Sequence, residues 1–364
     1  MTKPLTTLRT PAQLIEAGLA HEGARAELER IAARYAVAIT PTVAAQIDRA
    51  DPTDPIALQF VPTAAELHTS VDEQADPIGD DTHSPVKGIV HRYRDRVLLK
   101  LANVCPVYCR FCFRRENVGV GADATLSGSE LCAALDYVAG HPEIFEVIVT
   151  GGDPLILAPR RISEVTRAIG AISHVKIIRW HTRVPVVAPE RVTPELIGGL
   201  TATSGKAVYV AIHANHPREL NSAARAAIAA LRSAGLVLIS QTVLLKGIND
   251  DVAALAELMR ALLASGVKPY YLHHGDLAPG TGHFRTTIEE GRELMRALRG
   301  RLTGIAMPAY VLDIPGGFGK VPIDDDHVGP VDTRTGARTV IDPRGKPHIY
   351  RDRLNPSRVN SNGS

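Results

Sequence analysis

Residues 97–112 read VLLKLANVCPVYCRFC, an apolar strand candidate that runs directly into three cysteines. A dinucleotide-binding fold would place GxGxxG after its first strand; this chain places CxxxCxxC there. Five more short apolar runs follow: EVIVTGG (146–152), KIIRWHT (176–182), AVYVAIH (207–213), LVLISQTVLL (236–245) and KPYYLHH (268–274). Between them lie helix-like stretches such as SELCAALDYVAG, RISEVTRAIGAI, PRELNSAARAAIAALRSAG and VAALAELMRALLASG. This alternation means repeated βαβ units around a parallel sheet buried on both faces. Polar residues gather at the strand ends: the cysteines, then GGD, then His181 and Arg183, then His213. Gln241 lies within the fifth run and Asp276 follows the sixth. Chemistry collects at the C-terminal strand ends of a barrel, so the expected fold is α/β, a partial (βα)6 barrel.

The flanks differ from this core. Residues 1–85 suggest a helical appendage, with Thr10-Pro11 as N-cap and first helical residue before QLIEAGL. Further helices are expected over ARAELERIAARYA and ITPTVAAQI, and the acidic, proline-containing stretch 69–86 reads as a linker. The barrel core is expected over 86–322 and a C-terminal extension over 323–364, ending in a disordered tail, NPSRVNSNGS. The balance of 41 Lys+Arg against 39 Asp+Glu argues against a nucleic-acid partner. No run is apolar enough to cross a membrane and the start has no secretory core, which points to the cytoplasm. In that reducing compartment clustered cysteines serve metal or redox chemistry rather than disulfides.

The chain has four cysteines. Cys132 falls on the apolar side of LCAALDYV and is expected as a buried structural thiol. Zinc sites and electron-carrying iron–sulfur clusters want four protein ligands, and Cys105, Cys109 and Cys112 have no partner pair. Three thiolates can instead hold three irons of a four-iron cluster and leave the fourth open to a small molecule.

CxxxCxxC after the first strand of a βα-repeat chain resembles the radical S-adenosylmethionine superfamily. The resemblance implies a [4Fe-4S] cluster on Cys105, Cys109 and Cys112, with S-adenosylmethionine on the open iron. TGGDP (150–154) is similar to the segment that holds the methionine ammonium, implicating Gly151, Gly152 and Asp153. His213 in AIHANHP and Gln241 in ISQTVLLKGIND match positions lining that pocket in the lysine 2,3-aminomutase family.

The stretch YVLDIPGGFGKVPI (310–323) narrows the resemblance. A lysine beside a flexible glycine run can condense with an aldehyde, and PGG-x-GK-x-P resembles that family's pyridoxal 5'-phosphate segment, with Lys320 as its lysine. It is no Walker A motif, since the residue after Lys320 is Val321. Arg92 and Arg96, in HRYRDR, match the family's phosphate-binding positions, and arginine suits a phosphate. Arg114 matches the arginine that pairs with the substrate carboxylate. Asp276 in GDLAPGTGHFRT and Asp313 in LDIPGGFGK match the two aspartates that grip the ε-ammonium of lysine. Such a pair repels itself until a cation arrives and would reject a γ-carboxylate.

The resemblance therefore implies a lysine 2,3-aminomutase that moves the α-amino group of L-lysine to C3. It further implies an electron donor such as flavodoxin or ferredoxin, and a homo-oligomer. Arginine, also long and cationic, remains open. The short N-terminus also resembles enzymes making (R)-β-lysine for elongation factor P, but those lack the intact PGG-x-GK string with its preceding aspartate. The larger aminomutases carry extra cysteines for zinc; here Asp251 follows GIND and the tail has no cysteine, so zinc is not expected.

Overall fold

The structure is a computed structural model that describes residues 6–119, 125–324, 328–330, 332, 334–335, 337–342 and 345–351. The expected tail NPSRVNSNGS lies outside them. The N-terminal part carries four short helices: α1 (Pro11–Glu16), α2 (Arg25–Arg34), α3 (Pro41–Ala44) and α4 (Ala57–Phe60). Thr10 caps α1 through a reciprocal capping box with Gln13, and Pro11 opens the helix. The helix expected over ITPTVAAQI is the single turn α3, capped by Thr40.

One nine-stranded sheet forms the core, in chain order from β1 to β9. Its strands are β1 (Ile89–Tyr93), β2 (Arg96–Ala102), β3 (Glu146–Gly151), β4 (Ile177–Thr182), β5 (Ala207–His213), β6 (Val237–Val243), β7 (Lys268–His273), β8 (Ala309–Ile314) and β9 (Gly319–Pro322). Strands β2 to β8 are parallel, which adds a seventh parallel strand, β8, to the six expected. Strands β1 and β9 are antiparallel additions at the two edges. The edges do not pair through their backbones, yet they meet through side chains. The Tyr93 hydroxyl of β1 accepts from the Lys320 amide of β9 at 2.7 Å. Arg92 of β1 lies 3.8 Å from Asp313 of β8. The barrel is therefore partial in its backbone and bridged by functional side chains.

The crossover helices are α5 (Gly128–Ala139), α6 (Pro159–Ala171), α7 (Val184–Val187), α8 (Pro194–Leu200), α9 (Ser222–Ser233) and α10 (Val252–Ala264), followed by α11 (Ile288–Arg299) before β8. The stretch 217–235 does not form one helix. A short 3₁₀ turn (Pro217–Glu219) precedes α9, because Asn221 caps the new helix by accepting from the Ala224 amide. The core runs continuously between sheet and helices; strand β3 is buried at every residue after Glu146. A hairpin, β10 (Ala337–Ile341) with β11 (Pro347–Arg351), stands apart from the main sheet.

Cys132 is a correction: it is exposed, not buried. Leu131, Ala134 and Val138 form the buried face of α5, and Cys132, one residue after Leu131, is turned about 100° from that face. Among the described residues no helix is long and apolar enough to cross a membrane.

Candidate active site

Parallel register brings the strand ends to one side of the sheet. Ala102 pairs with Gly151, His213 with Gln241, and Val243 with His273. A cavity of about 360 Å³ opens there, within the size range of small-molecule sites. Cys105, Cys109, Cys112, Arg114, Gly151, Gly152, Asp153, His213 and Gln241 all line it. So do Arg92 and Arg96, just before the cysteines, and Asp276, Asp313 and Lys320, late in the chain.

The cysteine loop is clamped from the N-terminal part. The Arg110 amide donates to the Gln59 carbonyl at 2.9 Å and the Tyr108 amide to the Ala38 carbonyl at 3.1 Å. Arg110 Nε reaches both oxygens of buried Glu66 at 3.0 Å, and Arg115 joins the same carboxylate. Arg183, at the end of β4, donates to Cys109 Sγ at 2.8 Å and to Glu219 at 2.7 Å.

Burial pushes all three thiols up, Cys112 to about 11, and the neighbouring thiols add to the effect on Cys105 and Cys112. Arg183 offsets part of this at Cys109. To be deprotonated together in such a place, three sulfurs would need positive charge from a bound group. Among the described residues no three His, Cys, Asp or Glu side chains could hold a single metal ion. Sulfurs that share a cavity without converging on one ion suit the separate corners of an iron–sulfur cluster.

The GGD turn packs on this loop. A Cβ on Gly151, where φ is +126°, would lie 2.2 Å from the Ala102 carbonyl oxygen; one on Gly152 would lie 2.3 Å from that of Val104. The glycines thus serve contact between β3 and the cysteine loop. The Asp153 carboxylate accepts from the Leu155, Arg183 and Val184 amides at 3.0, 2.7 and 3.2 Å and from the Thr182 hydroxyl at 2.8 Å. Four donors fill the lone-pair sites of a carboxylate. The side chain fixes the turn and the start of α7, and no oxygen is left over for a ligand amine.

Lys320, the one lysine among the cavity's lining residues, forms an ion pair with Asp313. Its ammonium also lies 3.3 Å from His273 Nδ1 and 5.6 Å from the Tyr271 ring centre. Burial would push the Asp313 carboxyl up, but the neighbouring His273 and the Lys320 charge outweigh it and hold it below the usual range. Asp276 behaves in the opposite way. Burial, reinforced by Asp313, pushes it up to about 7, against the pull of Lys320, Arg114 and Arg92.

Two side chains of the site were not legible as such in the sequence. Asp80 comes from the stretch that reads as a linker, yet it is buried. It takes Arg114 Nε and Nη2 at 2.9 and 2.8 Å, Arg92 at 3.3 Å and Lys100 at 3.9 Å. One carboxylate so holds both arginines, and only one edge of the Arg114 fork stays available to another anion. Arg96, by contrast, pairs with Asp95 at 2.8 Å and stacks on Tyr93 at 3.7 Å. The second residue is His273. Two-residue alternation in β7 puts Tyr271 and His273 on one face, a signal that could have found it.

A family model for the radical SAM superfamily matches residues 99–259. L-lysine 2,3-aminomutase of Clostridium subterminale is 39% identical over 292 residues, covering 80% of this chain and 70% of that one. Glutamate 2,3-aminomutase of Clostridioides difficile is 36% identical over 296 residues, covering 81% and 69%. Among solved structures, a radical SAM methyltransferase from Sphaerobacter thermophilus aligns with a TM-score of 0.42 at 21% identity, over 62% of this chain and 68% of that one. The chain belongs to the lysine 2,3-aminomutase family of radical S-adenosylmethionine enzymes. It is an isomerase, an aminomutase whose family implies a [4Fe-4S] cluster, S-adenosylmethionine and a source of reducing electrons.

Proposed function

We propose that this chain is a pyridoxal phosphate-dependent lysine 2,3-aminomutase, converting L-lysine to β-lysine. The observation that carries this reading is the carboxylate pair in the cavity. Asp276 is raised to about 7 by burial and by Asp313, whose charge Lys320 already matches, so Asp276 ionises comfortably only when a further cation arrives. The ε-ammonium of lysine supplies that cation. A γ-carboxylate would add a third negative charge, which disfavours the glutamate substrate of the Clostridioides relative. Arginine, also long and cationic, meets the same charge requirement, and direct competition separates the two.

Bound, the cluster with S-adenosylmethionine supplies hydrogen-atom abstraction, and pyridoxal phosphate supplies an aldehyde for the substrate amine. The chain's own residues do the rest. Cys105, Cys109 and Cys112 hold the cluster. Gly151, Gly152, His213 and Gln241 line the S-adenosylmethionine side, with Asp153 fixing the turn. Lys320 captures the aldehyde, and Arg92 and Arg96 take the phosphate. Arg114 takes the substrate carboxylate through the fork edge that Asp80 leaves open. Asp313 has two claimants, the Lys320 ammonium and the substrate's, and receives the second when Lys320 is neutral. The cavity around these groups orients the substrate and keeps water from a radical reaction. Electron delivery by flavodoxin or ferredoxin in the cytoplasm, and a homo-oligomeric state, complete the proposal.

The test is an anaerobic competition. Cluster-loaded protein with S-adenosylmethionine, pyridoxal phosphate and reductant receives L-lysine, L-arginine and L-glutamate together. The reading expects β-lysine as the dominant product by mass spectrometry, lost in Asp313→Ala; dominant turnover of glutamate or arginine would overturn the substrate assignment.

A further inference from the structure

A hydrogen-bonded chain crosses the cavity wall from β9 to β4, and its polarity follows from one end. An ammonium only donates, so His273 Nδ1, 3.3 Å from Lys320 Nζ, accepts. A neutral imidazole then carries its proton on Nε2, which donates to Gln241 Oε1 at 3.2 Å. With its oxygen committed, the Gln241 amide turns its nitrogen to His181 Nδ1 at 2.9 Å. The assignment runs from Lys320 as far as His181 Nδ1, and the lone pair facing Lys320 belongs to His273.

We propose that His273 is the catalytic base that removes a proton from the Lys320 ammonium, and that Gln241 is the positioning residue that fixes its tautomer. The proposal rests on the reading of Lys320 as the aldehyde-capturing lysine. An amine attacks a carbonyl only as the free base. In the step, an Nζ–H bond breaks and an Nδ1–H bond forms, leaving a neutral amine and an imidazolium with no change in total charge. Asp313 is nearer to Nζ but is the wrong group. It is held ionised, so it is a weak base, and as a counter-ion it favours the charged ammonium. After the transfer it lies 3.7 Å from the imidazolium nitrogen and pairs with it.

Burial keeps His273 neutral beforehand, with the Lys320 charge adding to that effect and Asp313 opposing it. The groups facing it are Lys320 from β9, Asp313 from β8, Gln241 from β6, His213 from β5, His181 from β4 and Tyr271 from its own strand. Burial holds both His213 and His181 neutral, so neither adds a charge that would displace the proton from His273.

The test needs no radical chemistry. The full chain, freed of cofactor, is mixed with pyridoxal phosphate and quenched with borohydride at timed intervals, and peptide mass spectrometry reads the labelled fraction of Lys320. His273→Asn is expected to slow labelling about 100-fold at neutral pH, the lower end of general-base contributions. The deficit should shrink as pH rises and hydroxide replaces the base, and added imidazole should restore part of the rate. Gln241→Leu should slow labelling about tenfold, a smaller share of the same general-base contribution, whereas Gln241→Glu, which keeps an acceptor for Nε2–H, should not. An unchanged rate and pH profile in His273→Asn overturns the proposal. A deficit constant across pH and deaf to imidazole overturns it too, since packing alone would produce that. Unlabelled Lys320 in the wild-type chain overturns the underlying reading, and the proposal with it.

Discussion

Replacing Asp80 by asparagine keeps the shape of a side chain that holds Arg92, Arg114 and Lys100 and removes its charge. Burial opposes the charged form of Asp80, but Arg114 first, then Lys100 and Arg92, hold its carboxyl below the usual range. Three cations within 2.8 to 3.9 Å of one buried carboxylate would then face one another across a neutral amide. Breaking a buried pair by neutralising one member costs about 3 to 5 kcal/mol. Asparagine retains one acceptor oxygen, so the lower end, about 3 kcal/mol, is expected. The assay is urea unfolding at neutral pH.

Two further signatures identify the cause. A lowered folded-state value means stability that is present above the ordinary carboxylate range and lost as pH falls, so variant and wild type should converge below about pH 4. Freeing the second edge of the Arg114 fork should also raise the affinity for inorganic sulfate at least tenfold, about 1.4 kcal/mol. An Asp80→Asn chain as stable as wild type at neutral pH, or one destabilised equally at every pH with no gain in sulfate binding, would refute this account of the clamp.

Other consequences are equally direct. Asp276 at about 7 is largely protonated below that pH and must ionise when it meets an ammonium. Calorimetry in buffers of different ionisation enthalpy should therefore show proton release on L-lysine binding that grows as pH falls from 8 to 6 (about one unit either side of that value) and vanishes in Asp276→Asn. Gly151→Ala sets a Cβ against the Ala102 carbonyl at 2.2 Å; a loss above about 4 kcal/mol is expected by thermal unfolding, with loss of iron after reconstitution. Cys132, exposed on α5, should tolerate alanine with unchanged iron and sulfide content. Alanine at Cys105, Cys109 or Cys112 should each abolish it.

Six of the seven parallel strands were legible because apolar runs buried on both faces, such as EVIVTG, announce themselves without a periodicity argument; β8 was not, since its run leads straight into the PGGFG turn. The edge strands were not. IVHRY carries its cavity-lining arginine and tyrosine on a strand only five residues long, and GKVP is four residues after a glycine turn. Both belong to the sheet by pairing with neighbours, which local composition does not encode. Site residues were legible where a motif fixed them by spacing, as with the cysteines and Lys320. Asp80 was hidden because its segment is polar and acidic like any linker; only the three-dimensional meeting with Arg92 and Arg114 makes it part of the site. Asp153 was legible as a site residue but not in its use, since the donors that saturate it come from the end of β4 and the start of α7. Cys132 was misplaced by one position on its helix, enough to move it from the core face to solvent.

The migrating nitrogen can be followed from substrate to product. Reconstituted protein, with S-adenosylmethionine, pyridoxal phosphate and reductant under anaerobic conditions, receives L-lysine isotopically labelled at the α-nitrogen alone. β-Lysine should carry the label at C3 and none at the ε-position, formed by wild type and absent in Lys320→Ala. β-Lysine without the label, or full turnover in Lys320→Ala, would contradict the proposed function.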